Sequence, residues 1–298
     1  MMTATNIQPL RGTMHEHEPM SRHTSWRIGG PADHYYEPAD IDDVAVLLAQ
    51  LDAQEPVTWF GLGSNVLVRD GGIRGTVIAT SGLLNDIELT EDNQMYVQAG
   101  VSCAKVARQA ARHDLVGAEF FAGIPGTMGG ALAMNAGAFG GETWERVTAV
   151  ETIDRQGQRH VRQPEEFQVS YRTVIGPTDE WFISAYLKLH KGDGESARQD
   201  IKALLKKRSD TQPTQQPSCG SVFRNPEGDH AARLIESCGL KGECRGKACV
   251  SEKHANFIIN SGDARAADVE ALINHVQQQV HAQTGISLQT EVRILGEQ

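Results

Sequence analysis

Residues 117–141 read GAEFFAGIPGTMGGALAMNAGAFGG, and the fold of the chain turns on what this stretch does. Each glycine forgoes side-chain packing and costs backbone entropy, so a run this dense persists where the main chain must come close to something else. Within it, IPGTMGGALAMNAGA alternates glycines with small apolar residues and contains no lysine or arginine. Whatever it cradles is therefore held largely by backbone N–H groups. That suits a pyrophosphate, which turns and helix N-termini bind well. A tight loop packed inside the fold is the competing explanation, and the stretch alone does not decide between them.

A second stretch, Phe60–Asp70, reads FGLGSNVLVRD and opens within a short predicted strand, Val57–Leu62, that runs directly into GSN. Gly61 and Gly63 permit a sharp turn after a strand, while Ser64 and Asn65 can donate to phosphate oxygens. The motif is neither a Walker loop, lacking GKS/T, nor GxGxxG, whose spacing Asn65 and Val66 break. Together the two stretches suggest two backbone cradles on either side of one extended diphosphate.

Composition narrows the classes of function. At 298 residues the chain suggests two or three domains, with ample size for a buried core. Hydrophobic content of 40% with mixed charge reads as soluble and globular. A net charge of −10 argues against nucleic-acid or membrane-surface partners, since neither polyanion is attracted overall. No apolar run reaches the roughly 18–20 residues of a membrane span, and no signal-peptide layout opens the chain, so the cytosol is expected. Cys103, Cys219, Cys238, Cys244 and Cys249 are odd in number and scattered, which predicts free or buried thiols and no disulfide framework. With no CxxC pair, no metal site is expected.

The pattern along the chain is α+β. Met1–Arg22 is polar and expected to be a loosely held tail, including His15 and His17. PADHYYEPAD alternates enough for a short strand. Ile41–Leu51 repeats apolar residues at helical spacing behind a capping Asp40. Short strands are predicted at Val66–Arg69, Thr76–Ala79 and Met95–Ala99, and a helix at Cys103–Arg112. Thr148–Asp154 and Arg159–Arg162 read as a hairpin through Arg155-Gln156-Gly157, with a further strand at Phe182–Leu189. KGDGE at Lys191–Glu195 is the most linker-like segment and takes the major boundary. Beyond it come helices at Ser196–Arg208, Ala231–Ser237 and Ala267–Thr284, with strands at Ala255–Ile259 and Leu288–Ile294. Runs of short strands after a strand–helix–strand opening indicate α+β and not a repeating βαβ fold.

Several residues stand out chemically. Arg172 in Ser170-Tyr171-Arg172 is either half of a surface pair or a carboxylate or phosphate clamp. SCGSVFRNP at Ser218–Pro226 gathers two serines, a glycine and a proline in an irregular stretch. Glu291 lies in the apolar segment TEVRILG, where a carboxylate is costly unless paired or functional.

The segments WRIGGPAD, GLGSNVLVRDGG, GIPGTMGGALAMNAGAFGGE, SYR, PSCGSVFRNP, SEKHANFIIN and TEVRILG, in this order from about His23 to Gly296, resemble the UDP-N-acetylenolpyruvoylglucosamine reductase family. The chain is similar to its compact variant, which lacks an extra loop of longer members. The resemblance implies an α+β fold of the FAD-binding vanillyl-alcohol-oxidase (PCMH) type. It further implies a tail at 1–22, an FAD-binding domain at 23–193 with subdomains at about 23–80 and 81–193, and a substrate-binding domain at 194–298. Gly61, Leu62, Gly63, Ser64 and Asn65 would line one side of FAD, with Gly123, Ile124, Gly126, Thr127, Gly130 and Ala131 along the other and Ile258 approaching from the last domain. Pro31 follows Arg27-Ile28-Gly29-Gly30 where related flavoproteins place a tethering histidine, so the FAD should be non-covalent.

The same resemblance assigns catalysis to Arg172, Ser221 and Glu291, and substrate contacts to Tyr171, Arg224 and Asn225. It implies that NADPH reduces the flavin, which passes a hydride to UDP-N-acetylglucosamine enolpyruvate while Ser221 supplies the proton, giving UDP-N-acetylmuramate. Such a protein would serve bacterial peptidoglycan synthesis, and with it cell-wall biogenesis, cell shape and cell division. It is expected to act as a cytoplasmic monomer on small molecules, without nucleic acid, membrane insertion or metal. Two departures from the family pattern bear on the site. Cys219 stands where alanine is usual, which predicts sensitivity to thiol reagents, and TVIG after Arg172 lacks the usual serine and phenylalanine. An oxidase or dehydrogenase of the same fold and a non-catalytic nucleotide-binding protein are the alternatives. The trio Arg172, Ser221 and Glu291 speaks against the latter, because binding alone needs no proton donor.

Overall fold

The computed structural model describes residues 8–298, and the chain divides into two compact units. The first holds the described residues up to Glu16 with His34–Gly61 and Gly75–Ile201; the second holds His17–Asp33, Leu62–Arg74 and Lys202–Gln298.

The first unit is built on a five-stranded antiparallel sheet in the order Arg159–Arg162, Val147–Asp154, Glu180–Lys188, Gln94–Gln98, Ile87–Leu89. Helix α1, Ile41–Gln50, starts where Asp40 accepts the Asp43 N–H at 2.9 Å. Its buried face (Ile41, Val44, Leu47, Leu48) packs with Tyr36, Ile78 and Ile183. Helix α2, Cys103–Arg112, turns Cys103, Val106, Ala107, Ala110 and Ala111 inward, and the small alanines let it lie close to its neighbours. The glycine-rich stretch folds as a 3-10 turn at Glu119–Gly123 followed by the short helix α3, Met128–Ala133. A four-stranded sheet runs Thr13–Pro19, Pro31–Glu37, Ile73–Ala79, Val57–Phe60, with the last two strands parallel. Helix α4, Gly194–Thr211, spans the last passage of the chain from one unit to the other.

In the second unit, α5 (Ala231–Ser237) and α6 (Ala266–Thr284) share a core with Trp26, Leu67, Phe223 and Val292. α6 buries Val269, Leu272, Ile273, Val276 and Val280, a 3–4 spacing that lines one face. Each such side chain contributes about 1.5–3 kcal/mol by leaving water. A Leu272→Ala cavity there would cost about 2–5 kcal/mol. A three-stranded antiparallel sheet (Cys244–Arg245, Ala248–Val250, Ile258–Asn260) and the parallel pair Val66–Val68 with Arg293–Leu295 complete this unit.

Four expectations need correction. The segment ending at Arg22 is not loose where it is described: Thr13–Pro19 is a strand and Met20 is fully buried, although residues 1–7 lie outside the described range. Its alternating His and Glu carry no apolar signal because the strand lies at the edge of its sheet, largely exposed. KGDGE is not a linker: Lys191 pairs with Leu115, the Gly192 amide donates to Asp114 O at 2.9 Å, and α4 begins at Gly194. Of Leu288–Ile294, only the end is ladder strand, at Arg293–Leu295. Finally, Cys244 and Cys249 form a disulfide. The tight turn at Gly246 (φ 55) sets the two directly opposite across a hairpin, with Cα atoms 4.1 Å apart, which their spacing in sequence conceals.

Candidate active site

In the first unit the two glycine-rich stretches come together at Gly61 and Thr127. A Cβ on Gly61 would stand 2.7 Å from Thr127 Oγ1, so the approach requires a residue without one. Thr127 is buried and caps α3, its hydroxyl accepting the Gly130 N–H at 3.4 Å. Much of the stretch satisfies itself: Gly126 N–H donates to Ile124 O at 2.9 Å, Met128 N–H to Val101 O and Gly129 N–H to Ala99 O, both at 2.8 Å. Fewer amides of the stretch are thus on offer than its glycine content suggests; that of Thr127 has no acceptor among the described residues. Gly123, Ile124 and Ala131 are buried, and Gly130 is exposed.

Tyr171 and Arg172 form the tip of a hairpin between Gln168–Ser170 and Thr173–Ile175. Arg172 adopts a left-handed φ of 54°, and its guanidinium lies 5.0 Å from the centre of the Tyr171 ring. It donates through Nη1 to Asn135 O at 3.2 Å and through Nη2 to Gly137 O at 3.1 Å. A cation at the carbonyl end of α3 also complements the helix dipole.

In the second unit, the amides of Leu62, Gly63 and Ser64 make no hydrogen bond within the protein among the described residues. Gly63 is buried, with φ 65°, and its carbonyl accepts the Ser25 N–H at 3.1 Å. A buried N–H without a partner costs free energy, and a phosphate oxygen would satisfy it. The residues present thus fit an anion at this turn. Asn65 directs its side-chain amide to Glu291 O at 3.2 Å.

Ser221, Arg224 and Asn225 lie on an extended segment threaded between two others. On one side Val222 N–H donates to Asn256 O, and the Asn256 side chain brackets Phe223 by accepting its N–H at 2.9 Å and donating to its carbonyl at 2.8 Å. On the other side Glu291 N–H donates to Val222 O at 2.8 Å, and Arg224 N–H to Gln289 O at 2.9 Å. Ser221 and Glu291 are thereby neighbours through the main chain, both half-buried. The Ser221 hydroxyl has no hydrogen-bond partner among the described residues. Asn225 Oδ1 accepts the Ala231 N–H at 3.1 Å, at the start of α5. Ile258 is held by its carbonyl, which accepts Trp26 Nε1–H at 2.7 Å, while Asn260 donates to Trp26 O at 3.0 Å.

Cys219 corrects an expectation. It is only 1% exposed, and burial, reinforced by the Glu291 charge, pushes its thiol well above the usual range. A protonated, inaccessible thiol is a poor nucleophile, so ready attack by thiol reagents is not supported. Sequence reasoning gave no role to Asn256 or Trp26, although a buried asparagine in HANFIIN is the kind of signal that marks a main-chain clamp. Among the described residues there is no metal-ligating group of three or more and no helix long and apolar enough to cross a membrane.

An FAD-binding domain model matches residues 32–161, and the model of the UDP-N-acetylenolpyruvoylglucosamine reductase C-terminal domain matches 212–295. The glycine turns and the α+β architecture accordingly define an FAD-dependent oxidoreductase of the vanillyl-alcohol-oxidase type. Named UDP-N-acetylenolpyruvoylglucosamine reductases are similar over nearly the whole chain. That of Methylococcus capsulatus is 60% identical over 99% of this chain and 97% of its own. That of Legionella pneumophila is 57% identical over 99% and 96%. The crystal structure of the enzyme from Thermus caldophilus superposes with a TM-score of 0.83 at 32% identity, covering 96% of this chain and 99% of that one. The chain belongs to the UDP-N-acetylenolpyruvoylglucosamine reductase family. It is therefore an FAD-dependent enzyme that reduces UDP-N-acetylglucosamine enolpyruvate with NADPH, a step of peptidoglycan precursor synthesis.

Proposed function

We propose that Arg172, Ser221 and Glu291 carry this reduction in the present chain. FAD, when bound, supplies the hydride and is recharged by NADPH. The protein supplies the rest: binding, orientation, charge compensation and one proton. Arg172 receives the substrate carboxylate, for which a planar guanidinium is better matched than an ammonium. As hydride reaches the terminal enol carbon, negative charge grows on the adjacent carbon and its carboxylate, and Arg172 and Glu291 stabilise it, the latter protonated or through a water. Ser221 then delivers its hydroxyl proton to that carbon.

The observation that best supports this reading is the half-buried Ser221 hydroxyl, which makes no hydrogen bond within the protein among the described residues while the main chain of the next residue, Val222, is clamped on both sides. A hydroxyl so placed is left for something else to use. Tyr171, Arg224 and Asn225 serve the UDP-sugar. Gly61, Leu62, Gly63, Ser64 and Asn65, with Gly123, Ile124, Gly126, Thr127, Gly130, Ala131 and Ile258, hold FAD non-covalently. In this account residues 23–193 form the flavin domain and 194–298 the substrate domain, and the enzyme works as a cytoplasmic monomer without metal. Purified protein should be yellow, and NADPH should be consumed stoichiometrically once the enolpyruvyl sugar is added. Reoxidation as rapid with oxygen alone would mark an oxidase instead.

A further inference from the structure

Ser221 sits where its segment falls out of step with its neighbour. Upstream, Asn260 N–H donates to Pro217 O at 2.9 Å and Ser218 bridges Ile259 in antiparallel register. Downstream, Val222 N–H donates to Asn256 O at 2.9 Å, so the register has moved by one residue between Ser218 and Val222. A bulge of this kind turns a side chain out of the ladder, and bulges are common beside active sites. Gly220, inside the displaced part, has φ 49°, and a Cβ there would meet nothing within 4 Å. A glycine in open space does not fix the direction of the residue after it. The constraint on Ser221 has to come from downstream.

At Phe223 one side chain takes over from the main chain. Asn256 Oδ1 accepts the Phe223 N–H at 2.9 Å, and Asn256 Nδ2 donates to the Phe223 carbonyl at 2.8 Å. The amide stands in for the peptide group of a strand neighbour, and it satisfies two polar groups of a residue only 2% exposed. Asn256 is 3% exposed and is itself fixed by a tight turn. Ser251 N–H donates to Phe257 O at 2.8 Å, Phe257 N–H to His254 O at 3.0 Å and Asn256 N–H to His254 Nδ1 at 3.3 Å. Arg224 and Asn225 have anchors of their own: Gln289 O accepts the Arg224 N–H, and Asn225 Oδ1 accepts the Ala231 N–H.

We infer that Asn256 is a positioning residue for the known reaction, fixing the direction in which Ser221 offers its proton. The inference rests on the assignment of that proton to Ser221. The amide is needed whole, because it accepts and donates at once. An aspartate of the same size still accepts the Phe223 N–H but sets its second oxygen against the Phe223 carbonyl. A shift of about 1 Å in a reacting group costs roughly a hundredfold in rate. Substrate affinity, carried by residues anchored elsewhere, is spared.

Asn256→Asp in the flavin-loaded enzyme tests this by stopped flow through both half-reactions, alone and combined with Ser221→Ala. A thermal melt and the affinity for UDP-N-acetylmuramate are measured alongside. Flavin reduction by NADPH and ligand affinity should each change by less than about threefold, while reoxidation by saturating UDP-N-acetylglucosamine enolpyruvate slows roughly tenfold to a hundredfold. Added to Ser221→Ala, the same substitution should slow reoxidation by no more than about twofold, since the group it positions is gone. Asn256→Ser, whose shorter hydroxyl cannot reach both polar groups of Phe223, should behave alike and covers the case in which Asn256→Asp does not fold. Equal slowing of both half-reactions, reoxidation at the wild-type rate, or losses that add in full in the double variant would overturn the positioning role. Ser221→Ala alone separates the failures: if it leaves reoxidation unchanged, the assignment of the proton to Ser221 has failed. If it slows reoxidation and the Asn256 loss still adds in full, only the positioning role is wrong.

Discussion

The side-chain amide of Asn65 donates to the main-chain oxygen of Glu291 at 3.2 Å, joining residues 226 positions apart. The bond is reinforced by Arg293 N–H, which donates to Asn65 O at 3.1 Å, and by the parallel pairing of Val66–Val68 with Arg293–Leu295. The glycine turn and the main chain of Glu291 are thus tied to one another inside the second unit. A net hydrogen bond is worth about 1 kcal/mol. Asn65→Ala should therefore lower the melting temperature by a few degrees and slow reoxidation by the sugar. An unchanged melting temperature with unchanged kinetics would mean that the tie is idle.

Gly61 faces a fixed hydroxyl, and the consequence is measurable. Gly61→Ala puts a methyl 2.7 Å from Thr127 Oγ1, which must move and give up its cap on α3. Overpacking of this kind costs about 1–3 kcal/mol, so FAD affinity should fall about tenfold or more while the far-ultraviolet dichroism stays the same. The ratio of visible to ultraviolet absorbance after purification reports it directly. Full flavin occupancy in the variant would remove this junction from the cofactor site.

Burial of two thiols gives the alkaline limb of stability a definite sign. Cys103 is pushed up to about 12 by burial, and Cys219 well above its ordinary value by burial and the Glu291 charge. In the unfolded chain both ionise near 8.5, so above that pH the unfolded state binds fewer protons and stability falls. Their contribution is complete below about pH 8.5 and is lost as pH rises towards the folded values, at up to about 1.4 kcal/mol per pH unit for each thiol. Denaturant midpoints taken from pH 8 to pH 10 should decline, and less steeply in Cys219→Ala. The same burial means that thiol reagents at pH 8 should spare Cys103 and Cys219 in the native protein while reaching the half-buried Cys238. Rapid native labelling of Cys219 would refute the assignment.

Periodic and punctuated segments were legible in the sequence, and features made by chain segments meeting were not. α2 and α5 match their expected spans residue for residue, and α1 ends one residue short, because each carries an apolar stripe over a full turn or more. The Thr13–Pro19 strand is mostly solvent-exposed and polar, and its membership of a sheet depends on a neighbour that no local pattern announces. The Cys244–Cys249 bridge depends on hairpin register. The glycines of 117–141 are conspicuous in the sequence, but which of their amides turn inward depends on Ala99 and Val101, in the turn between Gln94–Gln98 and α2.

The most direct test is Ser221→Ala followed through each half-reaction by stopped flow. Flavin reduction by NADPH asks nothing of a proton donor at this position and should proceed nearly as in the wild type. Reoxidation by UDP-N-acetylglucosamine enolpyruvate should slow by ~10²–10⁴-fold, the usual worth of general acid catalysis, so the variant bleaches and then stalls. Equal losses in both half-reactions, or none in the second, would contradict the assignment of the proton to Ser221.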